Sequence, residues 1–312
     1  MKALKRTRFA LTALTLLTLG TSMTSASSYQ LQDTFNTGTV KDYNVLEGWY
    51  QYLETDPNQP VQAIGASGSN TMGSYSVVPK PGDTGTDKAL KLVLKANQEH
   101  PAGTYPNGDP KYKSRFEFRS KGIAPSDPTS TDTAERWYMF DFMIPTDWDE
   151  TDGWQNFIVQ VYYGDGSIGR GPSLGITLSN DDMRINGNNF CNEDTSPGTA
   201  VTTLCSDPSA RDERELYSEQ MIKGVWQRFW VHIKWSKVNP SKGIIELKRS
   251  TDGTDPTTKG LLFPAVRGVN TVGSKSNYFK IGNYLGVGWN DRDPALNKDK
   301  VMYYDNVRIS KP

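Results

Sequence analysis

The chain has 312 residues, with 35 basic and 35 acidic side chains, two cysteines and two histidines. That balance excludes a typical nucleic-acid binder, whose footprint is a strongly basic domain. Two cysteines and two distant histidines also argue against a zinc site.

In chain order, a basic start (Lys2, Lys5, Arg6, Arg8) precedes an apolar run from Phe9 to Leu19 and a small-residue stretch ending at Ala26. This is the layout of a secretory signal cut near Ala26, and the run is too short to span a bilayer. Residues 1–26 are therefore expected to be removed, leaving a secreted or periplasmic protein with no membrane association. Losing those four basic residues leaves 31 against 35 acidic, a formal charge of −4. No Pro- or Ser-rich linker divides residues 27–312, so we expect one domain, and a monomer.

Ten short runs of alternating character predict strands: 89–96, 114–120, 135–144, 156–163, 174–178, 183–185, 226–235, 243–249, 277–284 and 301–309. Gly, Pro, Asn and Asp clusters separate them, as in all-β proteins. Ten strands in one domain predict two sheets packed face to face. Residues 54–87 and 97–112 read as long loops, either cleft walls or mobile surface. Helical patterning is confined to a short stretch from Asp212 to Ile222. In an exported chain Cys191 and Cys205 are expected to form a disulfide. It would close a loop of about 15 residues, contributing roughly 3 kcal/mol in the chain-entropy account.

Three of these runs carry an unusual polar face. Side chains on a strand alternate between its two sides. In Lys113-Ser114-Arg115-Phe116-Glu117-Phe118-Arg119, the residues Arg115, Glu117 and Arg119 oppose Phe116 and Phe118. In Phe157-Ile158-Val159-Gln160-Val161-Tyr162, Gln160 and Tyr162 share a side. In Tyr278-Phe279-Lys280-Ile281-Gly282-Asn283-Tyr284, the residues Tyr278, Lys280 and Tyr284 oppose Phe279 and Ile281. Adjacent in one sheet, these strands would offer an anionic, hydroxyl-rich polymer a surface of Arg, Gln, Lys and Tyr.

Arg115-Phe116-Glu117-Phe118-Arg119 resembles the Arg-x-Glu-x-Arg strand of jelly-roll polysaccharide lyases. Residues 278–284 resemble the Tyr-Phe-Lys-x-Gly-x-Tyr strand of alginate lyases and of the heparin-lyase-I-like and glucuronan-lyase group. Arg136-Trp137-Tyr138 to Ile144-Pro145 and Tyr303-Tyr304-Asp305-Asn306-Val307-Arg308-Ile309 resemble further strands of that group. The likeness spans residues 115–309 in order. It implies a concanavalin-like β-jelly-roll of two antiparallel sheets, and cleavage of a uronic-acid polymer by β-elimination with no cofactor.

That reaction sets the roles. A base removes the C5 proton of the uronate, and an acid protonates the oxygen leaving C4. The adjacent carboxylate must be neutralised so that charge can spread onto it. Arg matches a carboxylate bidentately and stays charged, so Arg115 and Gln160 are the expected neutralisers. By resemblance Tyr284 is the proton donor, and an ordinary phenol holds its proton at neutral pH. Arg119, Glu117, Tyr278 and Lys280 are the expected substrate-binding residues, with Glu117 bridging and orienting the arginines.

One position departs from the resemblance. The family's base is a His two residues after the Gln, and this chain has Tyr162 there. Three readings stay open: Tyr162 is the base, its pKa lowered by Arg115 or Arg119; Tyr284 acts as both base and acid in a syn elimination; or the protein binds acidic polysaccharide, lectin-like, without cutting it. His232, in a strand pattern with Trp230 and Lys234, and His100, in a loop, are weaker candidates for the base. Bland readings remain beside these: a salt-bridged solvent face for Arg115, Glu117 and Arg119, and an edge charge for Lys280. Trp154 and Trp289 are the candidate sugar-stacking rings. A glycoside hydrolase would need a carboxylate pair, for which Glu117 and Asp141 are the available residues. The acidic loops 180–182 and 290–293 could hold calcium, but turn chemistry accounts for them equally well, and no metal is expected.

Overall fold

The computed structural model describes residues 29–39, 49–52, 61–62, 67–69, 73–96, 100–104, 110–120, 134–148, 155–162, 172–190, 212–236, 242–267, 277–286 and 298–312. The signal-like start, both cysteines, Trp154, Trp289 and the acidic loop 290–293 lie outside the described residues.

Two antiparallel sheets face each other. The first runs β16 (Val266–Arg267), β15 (Ile244–Ser250), β14 (Gln227–Lys234), β9 (Glu135–Met143), β18 (Lys300–Ser310), β6 (Lys88–Leu94), β5 (Gly73–Pro79), β4 (Ser67–Ser69), with β1 (Tyr29–Asp33) also on β18. The second runs β13 (Asp212–Gln220), β12 (Asp182–Phe190), β11 (Leu174–Ser179), β10 (Gln155–Tyr162), β17 (Tyr278–Gly286), β8 (Pro110–Ser120), β2 (Trp49–Tyr52), β3 (Val61–Gln62), with β7 (His100–Thr104) also on β8. The described helix is a single 3-10 turn, Pro256–Thr258.

Period-2 alternation builds the core. On β14, Phe229, Val231 and Ile233 are buried while Trp230 and His232 are partly exposed on the outer face. Inner-face rings meet across the sandwich. Tyr138 and Phe140 of β9 lie 5.5 and 5.8 Å from Phe279 of β17. Tyr75 of β5 meets Phe118 of β8 edge-on at 5.0 Å. Such pairs add about 0.5–1.5 kcal/mol each beyond their area burial.

All ten predicted strands form, with ends shifted by a few residues. The expected helix at 212–222 does not. Residues 212–220 are instead strand β13, paired with β12 at the margin of the second sheet. Its Glu, Arg and Leu residues favour helix only weakly, and pairing overrides that preference. A charged margin strand also resists edge-to-edge association. The expected loops hold strands as well: β3, β4 and β5 lie within 54–87, and β7 lies within 97–112. Their Gly, Ser and Pro content reads as loop, but β5 pairs with β6 over seven positions.

Candidate active site

Strand order assembles the three polar segments. β17 lies between β10 and β8. Register then sets Gln160 opposite Lys280 and Lys280 opposite Arg119, Tyr162 opposite Tyr278, Glu117 opposite Gly282, and Arg115 opposite Tyr284. The outer face of the second sheet thus carries most of the residues singled out. The Arg115 side chain lies outside the described residues; its backbone stands across from Tyr284.

At the centre is a buried polar triad. Glu117, Gln160 and Lys280 are 2%, 2% and 4% exposed. Gln160 Nε2 donates to Glu117 Oε1 at 2.6 Å, and Lys280 Nζ donates to Glu117 Oε2 at 3.3 Å. The bland readings do not hold for two of these side chains: Glu117 is not on a solvated face, and Lys280 is not a solvated edge charge. Glu117 bridges an amide and an ammonium. Burying three polar groups is tolerable because each is hydrogen-bonded.

Beside the triad is an aromatic cluster. The rings of Tyr162 and Tyr278 stack at 5.5 Å, 15° apart. Lys280 Nζ lies 5.3 Å from the Tyr162 ring centre and 5.8 Å from that of Tyr278, while the Arg119 guanidinium lies 5.0 Å over Tyr278. Arg119 thus stands over Tyr278, and Lys280 stands over Tyr162. Beyond the triad, Tyr284 is half-buried and stacks on Phe157 at 5.7 Å.

That stack depends on a bulge. Phe157 pairs with Tyr284 and Val159 with Ile281, so Gly282 and Asn283 of β17 face Ile158 alone. Gly282 has φ +142°, and a Cβ there would stand 2.5 Å from both Glu117 Cα and Phe116 O. Only glycine suits that backbone and that approach. Phe157, Gly282 and the phenol of Tyr304 behind them are site-shaping residues that sequence reasoning missed. Gly282 and Tyr304 stand inside quoted motifs, but nothing in the residue pattern assigns them a role.

Other candidates are elsewhere. His232 is in the first sheet, its Nδ1 2.7 Å from Glu246 Oε2 and its Nε2 2.7 Å from Glu135 Oε1, with its ring stacked on Trp137 at 5.1 Å. It is a structural histidine of the opposite outer face, not a base for this site. His100 is in strand β7, not in a loop. The hydrolase pair is not assembled: Glu117 is on the outer face of the second sheet, whereas Asp141 is on β9 of the first, held by Arg228 at 2.7 and 2.9 Å. The acidic loop at 180–182 is a hairpin turn. Ser179 pairs with Asp182, Asn180 has φ +52°, and Asp182 meets Arg184 at 3.3 Å. Among the described residues no three His, Cys, Asp or Glu gather as metal ligands.

The two facing antiparallel sheets define a jelly-roll sandwich. The polysaccharide lyase family matches residues 35–308, and the chain belongs to that family. No curated protein sequence matches it. Among solved structures it is similar to an endo-β-1,4-glucuronan lyase from the fungus Trichoderma reesei, at 17% identity and TM-score 0.50, covering 85% of this chain and 94% of that one. An alginate lyase from Aplysia kurodai matches at 12% identity and TM-score 0.46, covering 76% and 87%. A β-glucanase catalytic domain from Podospora anserina matches at 14% identity and TM-score 0.42, covering 76% and 79%. At 17% identity the likeness to the glucuronan lyase shows the fold alone.

Proposed function

We propose that this protein is an exported lyase that cleaves a uronic-acid polymer by β-elimination. The observation that carries the reading is the adjacency of β8, β17 and β10, which gathers Tyr162, Tyr284, Gln160 and Lys280 on one outer face. The name of the fungal glucuronan lyase supports the substrate class. The basic and apolar start of the chain supports export.

In this mechanism Arg115 and Gln160 hold the uronate carboxylate. Glu117 fixes the Gln160 amide by one N–H and leaves the second for substrate. Tyr162 takes the C5 proton. Lys280 Nζ stands 5.3 Å over the ring of this base. Tyr284 gives its proton to the departing O4. The C5–H and C4–O bonds break, a C4=C5 double bond forms, and the new chain end is an unsaturated uronate absorbing in the near ultraviolet.

A second reading has its own support. The position of the family's His base is Tyr162, and the buried triad is mutually bonded, which suits a protein that binds acidic polysaccharide without cutting it. One assay separates the two. The protein is mixed with alginate, glucuronan or heparin while ultraviolet absorbance and polymer retention are followed. The lyase reading requires new absorbance that Tyr284→Phe abolishes with retention kept. Retention without absorbance on any uronan selects the binding protein.

A further inference from the structure

Phe157 and Gln160 are three residues apart on β10. On a regular strand an odd separation sends two side chains to opposite faces. Here both face outward: Phe157 stacks on Tyr284, and Gln160 bonds Glu117. The irregularity at Ile158, opposite Gly282 and Asn283, makes that possible. A bulge interrupts the ladder locally, so buried backbone groups at it need other partners.

The partner comes from the opposite sheet. Tyr304 of β18 is fully buried and reaches through the core to the bulge. Its hydroxyl accepts from Gly282 N at 3.1 Å. Its one proton is shared among Ile158 O at 2.7 Å, Gly282 O at 2.9 Å and Met302 Sδ at 2.8 Å. The phenol thus touches both strands of the bulge, at the residues between Gln160–Lys280 on one side and Phe157–Tyr284 on the other.

We propose that Tyr304 is a positioning residue: its hydroxyl clamps the β10–β17 bulge from behind and so fixes Tyr284 relative to Gln160 and Lys280. The inference rests on the lyase reading for its effect on turnover, but not for the clamp itself. Burial, and then the Glu117 carboxylate, push the Tyr304 phenol well above its ordinary pKa. It therefore stays a neutral donor throughout any practical assay.

The test is Tyr304→Phe, which removes one oxygen and leaves the ring. A misplacement of about 1 Å at a reacting group can cost on the order of 100-fold in rate. We expect kcat to fall roughly 10- to 100-fold, with KM changed less than about threefold, well below the melting temperature. Val231→Ala, a core change in the first sheet, serves as the stability-matched control and keeps its kcat. A folded Tyr304→Phe with wild-type kcat overturns the proposal, as does a loss that Val231→Ala reproduces at equal loss of Tm. Amide exchange at Gly282, read by NMR in the unaltered protein, needs neither activity nor a foldable variant. Slow exchange supports the clamp, and exchange at loop rates overturns it. If the unaltered protein makes no unsaturated product from any uronan, the lyase reading fails, and exchange at Gly282 still decides the clamp.

Discussion

Gln160 and Glu117 are joined by a 2.6 Å hydrogen bond although a whole strand, β17, runs between theirs. Glu117 is paired with Gly282 of that strand, whose lack of a side chain lets the Glu117 backbone approach closely. One carboxylate thereby orients the amide proposed to grip substrate and holds Lys280 against the Tyr162 ring. The polar half of the site is a single cross-strand unit.

Removing the charge of that carboxylate tests the unit. Glu117→Gln keeps the shape but leaves the buried Lys280 ammonium facing an amide. Breaking one partner of a buried ion pair typically costs about 3–5 kcal/mol. We expect destabilisation of about 3 kcal/mol in denaturant unfolding, with lower turnover. An unchanged unfolding midpoint would show that the 3.3 Å contact holds nothing.

Gly282→Ala addresses the close approach of β17 to the Glu117 backbone. Alanine at φ +142° is strained, and its Cβ would lie 2.5 Å from Glu117 Cα and Phe116 O, backbone atoms that cannot swing aside. Strained backbone alone costs on the order of 1–3 kcal/mol, and the clash adds to it. The expected results are a clearly lower Tm and turnover near background. A wild-type melting curve would mean the bulge is not built this way.

What the sequence made legible follows from what alternation can encode. Phe116, Phe118, Phe279 and Ile281 sit inward and Lys280, Tyr278 and Tyr284 outward because period 2 is local information. The adjacency of β8, β17 and β10 is not local, and only the resemblance of whole segments anticipated it. The bulge stayed hidden, since a one-residue shift leaves no mark in an apolar run such as Ile158-Val159. The role of Tyr304 was invisible for a similar reason: it depends on two backbone strands in the other sheet. Asp212–Gln220 misled because its residues carry a weak helix preference, while the pairing with β12 that decides the matter is not local information.

The choice of base is open to a direct comparison. General base catalysis contributes about 10²–10⁴-fold, so Tyr162→Phe should lower kcat by at least about 100-fold. Lys280→Met, which removes the cation 5.3 Å from the centre of the Tyr162 ring, should also lower kcat. If Tyr162→Phe retains turnover within a few-fold, Tyr284 serves as both base and acid.

His232 gives the opposite expectation. It lies 2.7 Å from each of two carboxylates of the other sheet, those of Glu246 and Glu135. Hydrogen bonds to charged groups are worth about 1.5–3 kcal/mol. His232→Gln should therefore lower Tm and leave kcat within about twofold, the size of an ordinary remote effect. A large fall in kcat at matched stability would return this histidine to the mechanism.

Asp305 carries a pH dependence of its own. It is 3% exposed, and burial raises its pKa, while the bond from Lys80 Nζ at 2.5 Å pulls it back. A carboxyl whose folded pKa is raised favours folding in its protonated form. Its contribution is therefore complete below the ordinary value near 4 and is lost as pH rises through the folded value. Lys80→Met removes the cation and should raise that folded value further. At neutral pH the variant leaves a buried carboxylate without its ammonium, and a deficit of about 3 kcal/mol is expected. The deficit should shrink as pH falls and Asp305 becomes neutral. Melting temperatures of both proteins from pH 4 to 8 test this, and a gap that stays constant across the series would rule out Asp305 as its source.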